Sequence, residues 1–168
     1  MSARTIFTLA LCFISLTGVT AAAGTPTPVP GGANQVSAVS AKVGQTVFNG
    51  VLRIQVTALR DATPDDHPEQ ALAGAGQKVM VMTVLLKNGS HKDFIDLITY
   101  TLADSDEVSF EIPSYKITPT NLHIQQGAAA RQTAMFTVDQ SYKPTKLLVQ
   151  CSTCGHATAF KPIRFTVP

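Results

Sequence analysis

From Lys42 onward the apolar positions recur every second residue rather than every 3.6. In Val51–Leu59, VLRIQVTAL, the residues Leu52, Ile54, Val56 and Ala58 fall on one face and Arg53, Gln55 and Thr57 on the other. Successive strand side chains point to opposite sides, so this alternation predicts a strand with one buried face. Asn49-Gly50 separates it from Gln45–Phe48. An Asn-Gly pair between strand-like runs favours a type I′ hairpin, because both residues tolerate positive φ. Lys78–Leu86, KVMVMTVLL, is apolar on both faces and bounded by Gly76 and Asn88-Gly89, which predicts a central strand covered on both sides. Further strands are predicted over Phe94–Ala103, Val108–Ile112, Ala130–Val138, Lys146–Cys151 and Ile163–Val167. Tyr100 and Leu102 share a face of the first of these, and Gln132, Ala134, Phe136 and Val138 share a face of the third. Helix signals reduce to a short turn within Glu69–Ala75.

Short strands punctuated by Gly, Pro, Asn and Asp predict an all-β, antiparallel sandwich over residues 41–168. Trp is absent and the two cysteines of this region lie three apart, so the inter-sheet cystine and buried Trp of antibody domains are missing. The sandwich is immunoglobulin-like in the loose sense. Residues 24–40 open with GTPTPVPGG, whose composition cannot bury enough apolar surface to offset ordering entropy, and are expected to form a flexible linker. Residues 1–23 read as a secretory signal peptide. Arg4 gives a positive start, Ile6–Leu16 is an uncharged apolar run, and Ala21-Ala22-Ala23 fits cleavage after Ala23. The apolar run is shorter than the roughly 20 residues of a membrane-spanning helix. A lipoprotein site at Cys12 is disfavoured by the bulky Leu11 before it.

Export changes two counts. Arg4 leaves with the signal, so the formal charge of +2 falls by one, and Cys12 leaves too. The balanced charge and the lack of a basic run exclude a nucleic-acid partner from the expectations. No second long apolar stretch follows, so no membrane span is expected in the mature form. Cys151 and Cys154 remain as a pair in an exported chain, where a disulfide is the default.

Four stretches in order resemble the domain-of-unknown-function 4352 family of bacterial secreted immunoglobulin-like domains. They are VGQTVFNGVLRIQVTALRDA, GQKVMVMTVLLKNGS, FIDLITYTLADSDE and LHIQQGAAARQTAMFTVDQSYKPTKLLV, spanning Lys42 to Val149. The shared order is an opening hairpin, a central strand ending in Lys-Asn, a strand running into Asp-Ser-Asp, and a Gly-led strand ending in an aromatic. Two departures stand out. Family members often carry Gly where this chain has Glu107, and the Cys151–Cys154 segment has no counterpart in the pattern. The resemblance implies an extracytoplasmic binding or accessory module and brings no catalytic residues.

The segment QCSTCGHATAF, residues 150–160, carries the most chemistry. Haem attachment needs C-x-x-C-H, and Gly155 breaks it. A redox pair of the thioredoxin kind sits at a helix N-terminus, whereas Cys151 ends a predicted strand. A zinc or copper site would draw on Cys151, Cys154 and His156, with His123 or His91 as a fourth ligand from another loop. A disulfide between Cys151 and Cys154 is the preferred expectation, clipping the connection between the last two strands. Met80 and Met82 could bind Cu(I), but their strand positions predict core filling.

Asp61, Asp65, Asp66 and Glu69 crowd one loop, and Asp104, Asp106 and Glu107 another; neither matches a calcium-loop spacing, and solvated loop tips are expected. G-x-S-x-G, H-E-x-x-H and S-x-x-K are absent. The expectation is therefore a non-catalytic, cofactor-free module exported to the periplasm or the medium, with another protein or an envelope component as partner. A metal-binding or redox accessory protein is the alternative, and a proteinase inhibitor is a second, by fold analogy alone.

Overall fold

Alternation of apolar and polar residues does build the core. The computed structural model describes residues 38–154 and 159–168. The expected signal peptide, most of the linker and His156 lie outside the described residues. Among the described residues there are eleven strands: β1 (Val39–Lys42), β2 (Thr46–Phe48), β3 (Leu52–Asp61), β4 (Gln77–Asn88), β5 (Phe94–Ala103), β6 (Ser109–Glu111), β7 (Ile117–Thr118), β8 (Asn121–Ile124), β9 (Ala129–Asp139), β10 (Lys146–Cys151) and β11 (Ile163–Thr166). They form two sheets, ordered β1-β11-β10-β5-β6 and β2-β3-β4-β9-β7, with β8 paired to the start of β5. The chain is an immunoglobulin-like β-sandwich.

The inner faces meet as the periodicity dictates. Leu52, Ile54 and Val56 of β3, Met80, Met82, Val84 and Leu86 of β4, and Gln132, Ala134, Phe136 and Val138 of β9 are buried. Opposite them lie Ile98, Tyr100 and Leu102 of β5, Leu147 and Val149 of β10, and Ile163 and Phe165 of β11. Each fully buried large apolar side chain contributes about 1.5–3 kcal/mol relative to exposure. Gln132 enters this apolar face because it is satisfied there: Tyr100 Oη donates to its Oε1 (2.5 Å), and its Nε2 donates to the Pro119 carbonyl (2.7 Å). Burial pushes the Tyr100 phenol above its ordinary pKa and keeps it a donor.

The structure corrects several expectations. β4 is central, between β3 and β9, but it is not covered on both faces: Val81, Thr83 and Leu85 are half-buried. A two-layer sandwich has nothing to place over that side. The first hairpin closes through Gly50-Val51, one residue later than expected, with Asn49 N–H bonded to the Leu52 carbonyl (3.0 Å). Gly50 takes φ 101° and Asn49 stays outside the left-handed region, so the expected type I′ turn at Asn49-Gly50 is not formed. Asn49 Oδ1 instead accepts from the Val51 and Leu52 N–H groups.

The linker boundary also moves. Ala38 is buried and β1 pairs with β11 in parallel, Val39 opposite Ile163, so residues 38–40 belong to the sandwich and the pairing is not purely antiparallel. The expected short turn is a pair of 3₁₀ turns at Pro64–Asp66 and Pro68–Ala71. Glu107, where members of the resembled family often carry Gly, takes φ 62°.

Candidate functional site

The register of β10 on β5 decides what surrounds the cysteines. Gln150 lies opposite Thr99 and Cys151 opposite Ile98, and the ladder continues with Ser152 N–H donating to the Leu97 carbonyl (2.8 Å). The chain then turns back on itself. Cys151 and Cys154 form a disulfide with Cα atoms 5.5 Å apart, as expected. Cys154 N–H donates to Cys151 Sγ (3.2 Å) inside this loop. No helix follows Cys151 among the described residues.

Asp96 comes into this loop from β5. One of its carboxylate oxygens and the two sulfurs lie within 4.8 Å of one another, and all three residues are half-buried. The orientation of the carboxylate is fixed from two sides: the Leu97 N–H (2.7 Å) and the Thr153 hydroxyl both donate to Oδ1.

Neighbouring polar groups are organised by Asn88, the last residue of β4 and 1% exposed. Its Nδ2 donates to the carbonyls of Lys92 (2.7 Å) and Ile124 (2.9 Å), and its Oδ1 accepts from Ser90 N–H (2.9 Å) and Ser90 Oγ (2.8 Å). This ties the 89–93 loop to the end of β8. The loop, the start of β5 and the disulfide segment enclose a cleft of about 440 Å³ lined by Val51, His91, Phe94, Ile95, Cys154 and Ala159. Ile95, at its rim, is 69% exposed.

His123 is not gathered with the cysteines. It sits on β8, opposite Ile95, and its Nε2 is 2.9 Å from Asp93 Oδ2. His123 and then the Gln126 N–H hold the Asp93 carboxyl below its ordinary pKa. His91 borders the cleft, yet it is not among the groups close enough to share an ion with the cysteines. The expected ligand set Cys151, Cys154, His156 and His123 is therefore corrected at His123, and His156 lies outside the described residues. In the oxidised form the sulfurs are bonded to each other and offer no thiolate.

The acidic loop residues are exposed or half-buried, as expected of solvated tips, and several are also paired within their own turns. Asp66 is chelated by Arg60 (2.7 and 3.0 Å) and by Thr63, Asp61 pairs with Lys78 (2.9 Å), and Asp104 Oδ1 accepts from the N–H groups of Asp106 and Val108. These carboxylates serve their own turns. Among the described residues no hydroxyl or thiol is recorded as hydrogen-bonded to a histidine ring, and no helix is long and apolar enough to cross a membrane.

Sequence reasoning passed over Asp96 and Asn88. A signal for Asp96 existed: it is the one acid in the otherwise apolar run FIDLI. Asn88 was visible only as a strand boundary in Asn88-Gly89 and as the end of the Lys-Asn pair in the family pattern.

No family model matches the chain, and no curated protein shows detectable similarity to it. Among solved structures it is similar to an uncharacterised β-sandwich protein from Clostridium difficile 630, with 9% identity, 76% of this chain and 92% of that chain covered, and a TM-score of 0.47. A conserved hypothetical protein from Bacillus anthracis gives 11% identity, 66% and 88% coverage, and a TM-score of 0.45. At that level the likeness carries nothing about this chain's chemistry.

Proposed function

We propose that this chain is an exported, non-catalytic immunoglobulin-like module of the 4352 domain-of-unknown-function type, which binds another protein or an envelope component in the periplasm or outside the cell. The apolar N-terminal run and small-residue cleavage signal support export, and the four ordered stretches from Lys42 to Val149 support the family reading. The observation that carries the binding reading is Ile95. It stands exposed at the rim of the 440 Å³ cleft, with Lys92 and Asp93 lining the same cleft and His123 as its cross-strand neighbour. An apolar centre ringed by charge is the anatomy of an interface.

A photo-activatable cross-linking residue at position 95, and the same residue at the exposed Lys143 as control, tests the reading in cells. Adducts with one defined species at 95 alone, lost when Lys92 and Asp93 are both changed to alanine, are the expected result. Equal cross-linking from both positions, or none from either, refutes it. Turnover of ester, peptide or glycoside substrates by the purified protein refutes the non-catalytic half.

A further inference from the structure

We propose that reduction of the Cys151–Cys154 disulfide converts this loop into a zinc site built from Asp96, Cys151 and Cys154, so that the same residues hold either a disulfide or a metal. The inference does not rest on the partner reading, although Asp96 and Cys154 line the same cleft.

The geometry carries it. Three potential ligand atoms from β5 and the β10 loop already lie within 4.8 Å of one another. Zinc takes thiolate sulfur and carboxylate oxygen at about 2.0–2.3 Å in a tetrahedral set, which places its ligands about 3.3–3.8 Å apart. Breaking the disulfide lets the sulfurs separate toward that spacing, while the carboxylate needs only a small approach. Asp96 is held in place for the role, since Leu97 N–H and the Thr153 hydroxyl both donate to its Oδ1. Such second-layer hydrogen bonds orient metal-binding carboxylates. The Cys154 N–H aimed at Cys151 Sγ stabilises a thiolate there. Charge argues the same way. Two thiolates beside Asp96 would gather three negative charges, which a divalent cation offsets and solvent alone does not.

The chemical step balances with an external dithiol reductant. Its thiolate attacks one sulfur of the pair, the S–S bond breaks, and its second thiol closes the reagent's own disulfide. Cys151 and Cys154 receive two electrons and two protons. Zn²⁺ then binds both sulfurs and releases those two protons to solvent. The cleft beside Cys154 provides the approach for the reagent. A water completes the coordination, as in sites with three protein ligands.

The test uses the purified protein, oxidised or reduced under anaerobic conditions, titrated with Zn²⁺, and with Co²⁺ as a spectroscopic probe. The reduced protein is expected to take up one metal per chain with release of two protons, and to show tetrahedral cobalt bands with thiolate charge transfer. The oxidised protein is expected to bind none. Asp96→Asn keeps the Oδ1 acceptor and is expected to weaken zinc at least about tenfold, with circular dichroism unchanged. Equal affinity in Asp96→Asn, equal binding by the oxidised form, or no uptake by the reduced form overturns the proposal. Loss of the sheet signal on reduction overturns it as well. So does loss of binding in His156→Ala with binding retained in Asp96→Asn, because the ligand set would then be a different one.

Discussion

Asn88→Ala gives the most direct measure of how the cleft end of the sandwich is held. The Asn88 amide uses two donors and two acceptor directions at once, on partners from its own loop and from β8. Only an amide supplies that combination. A hydrogen bond contributes about 0.5–1.5 kcal/mol net, more where truncation strands a buried partner. The bond to the Ile124 carbonyl is buried and the other three are partly buried. Assigning about 1.5 kcal/mol to the first and about 0.5 to each of the others gives a loss of about 3 kcal/mol. For a domain of this size that corresponds to roughly 10 °C in melting temperature. Urea unfolding followed by circular dichroism measures the global loss. Amide exchange at Ser90 and Gly127 reads the local one, since Gly127 N–H bonds to the Asn88 carbonyl (3.2 Å). Asn88→Asp keeps the shape but turns a carboxylate oxygen toward two carbonyls, and is expected to cost at least as much as alanine. A loss under about 1 kcal/mol for alanine, or wild-type stability for aspartate, refutes this account.

Four further substitutions probe other parts of the fold. Tyr100→Phe leaves the buried Gln132 Oε1 without its donor and is expected to cost about 1–3 kcal/mol in denaturant unfolding; a neutral result would show that the pair is dispensable. Glu107→Gly relieves a left-handed backbone but also removes the ion pair with Lys146, so the two effects oppose each other in the wild type. In a Lys146→Met background that ion pair is already absent, so the glycine is expected to be more favourable there than in the wild type by about 0.2–1 kcal/mol; an equal or less favourable effect refutes the ion-pair account. The Asp66 carboxyl is held well below its usual range by Arg60 and then by Thr63, so its contribution is present above the unfolded-state pKa and is lost as pH falls through the folded-state value. The stability gap between wild type and Asp66→Asn should therefore be full at neutral pH and shrink below about pH 4; a gap that widens in acid contradicts the assignment. Gly50→Ala would place a Cβ 2.2 Å from the Ala159 carbonyl oxygen at a φ of 101°, and should destabilise by more than about 2 kcal/mol in thermal melts. A wild-type melting temperature would show that the 159 segment yields freely.

The long strands were legible because each repeats its alternation often enough to be unmistakable. β3 and β9 appear where period two placed them, and β5 and β10 have the predicted bounds. The strands that escaped are two to four residues long. In β8, NLHI, Leu122 and Ile124 are buried and Asn121 and His123 exposed, but two repeats do not rise above the surrounding polar chain. β1, VSAK, is hidden in a Ser/Ala/Val run and is defined by its parallel partner β11, more than a hundred residues later. Coverage of β4 misled for a different reason. Periodicity reports what a face tolerates, and Val81 and Leu85 tolerate half-exposure among Thr83 and the neighbouring strands. In the candidate site the cysteine pairing was readable from export and spacing, and the surroundings were not. Asp96 reaches the sulfurs only because Cys151 is in register with Ile98, and that register is a property of the folded sheet.

That register has a measurable redox consequence. With no cation present, the Asp96 charge disfavours thiolates at Cys151 and Cys154, which favours the disulfide. Zinc reverses the balance, because it binds the reduced form and not the oxidised one. By mass action each tenfold rise in free zinc above its dissociation constant should raise the midpoint potential of the pair by about 30 mV, since two electrons are transferred. Equilibrating the protein with a thiol–disulfide couple at several buffered zinc concentrations, and quantifying free thiols by alkylation, gives this slope. In Asp96→Asn two changes are expected together. The potential without zinc should rise, because a repulsive charge is gone, and the zinc-dependent rise should begin at a higher metal concentration, because a ligand is gone. A shift in the metal-free potential with an unchanged zinc onset would leave Asp96 as a neighbour of the disulfide and not a ligand. A potential indifferent to zinc in the wild type would refute the coupling outright.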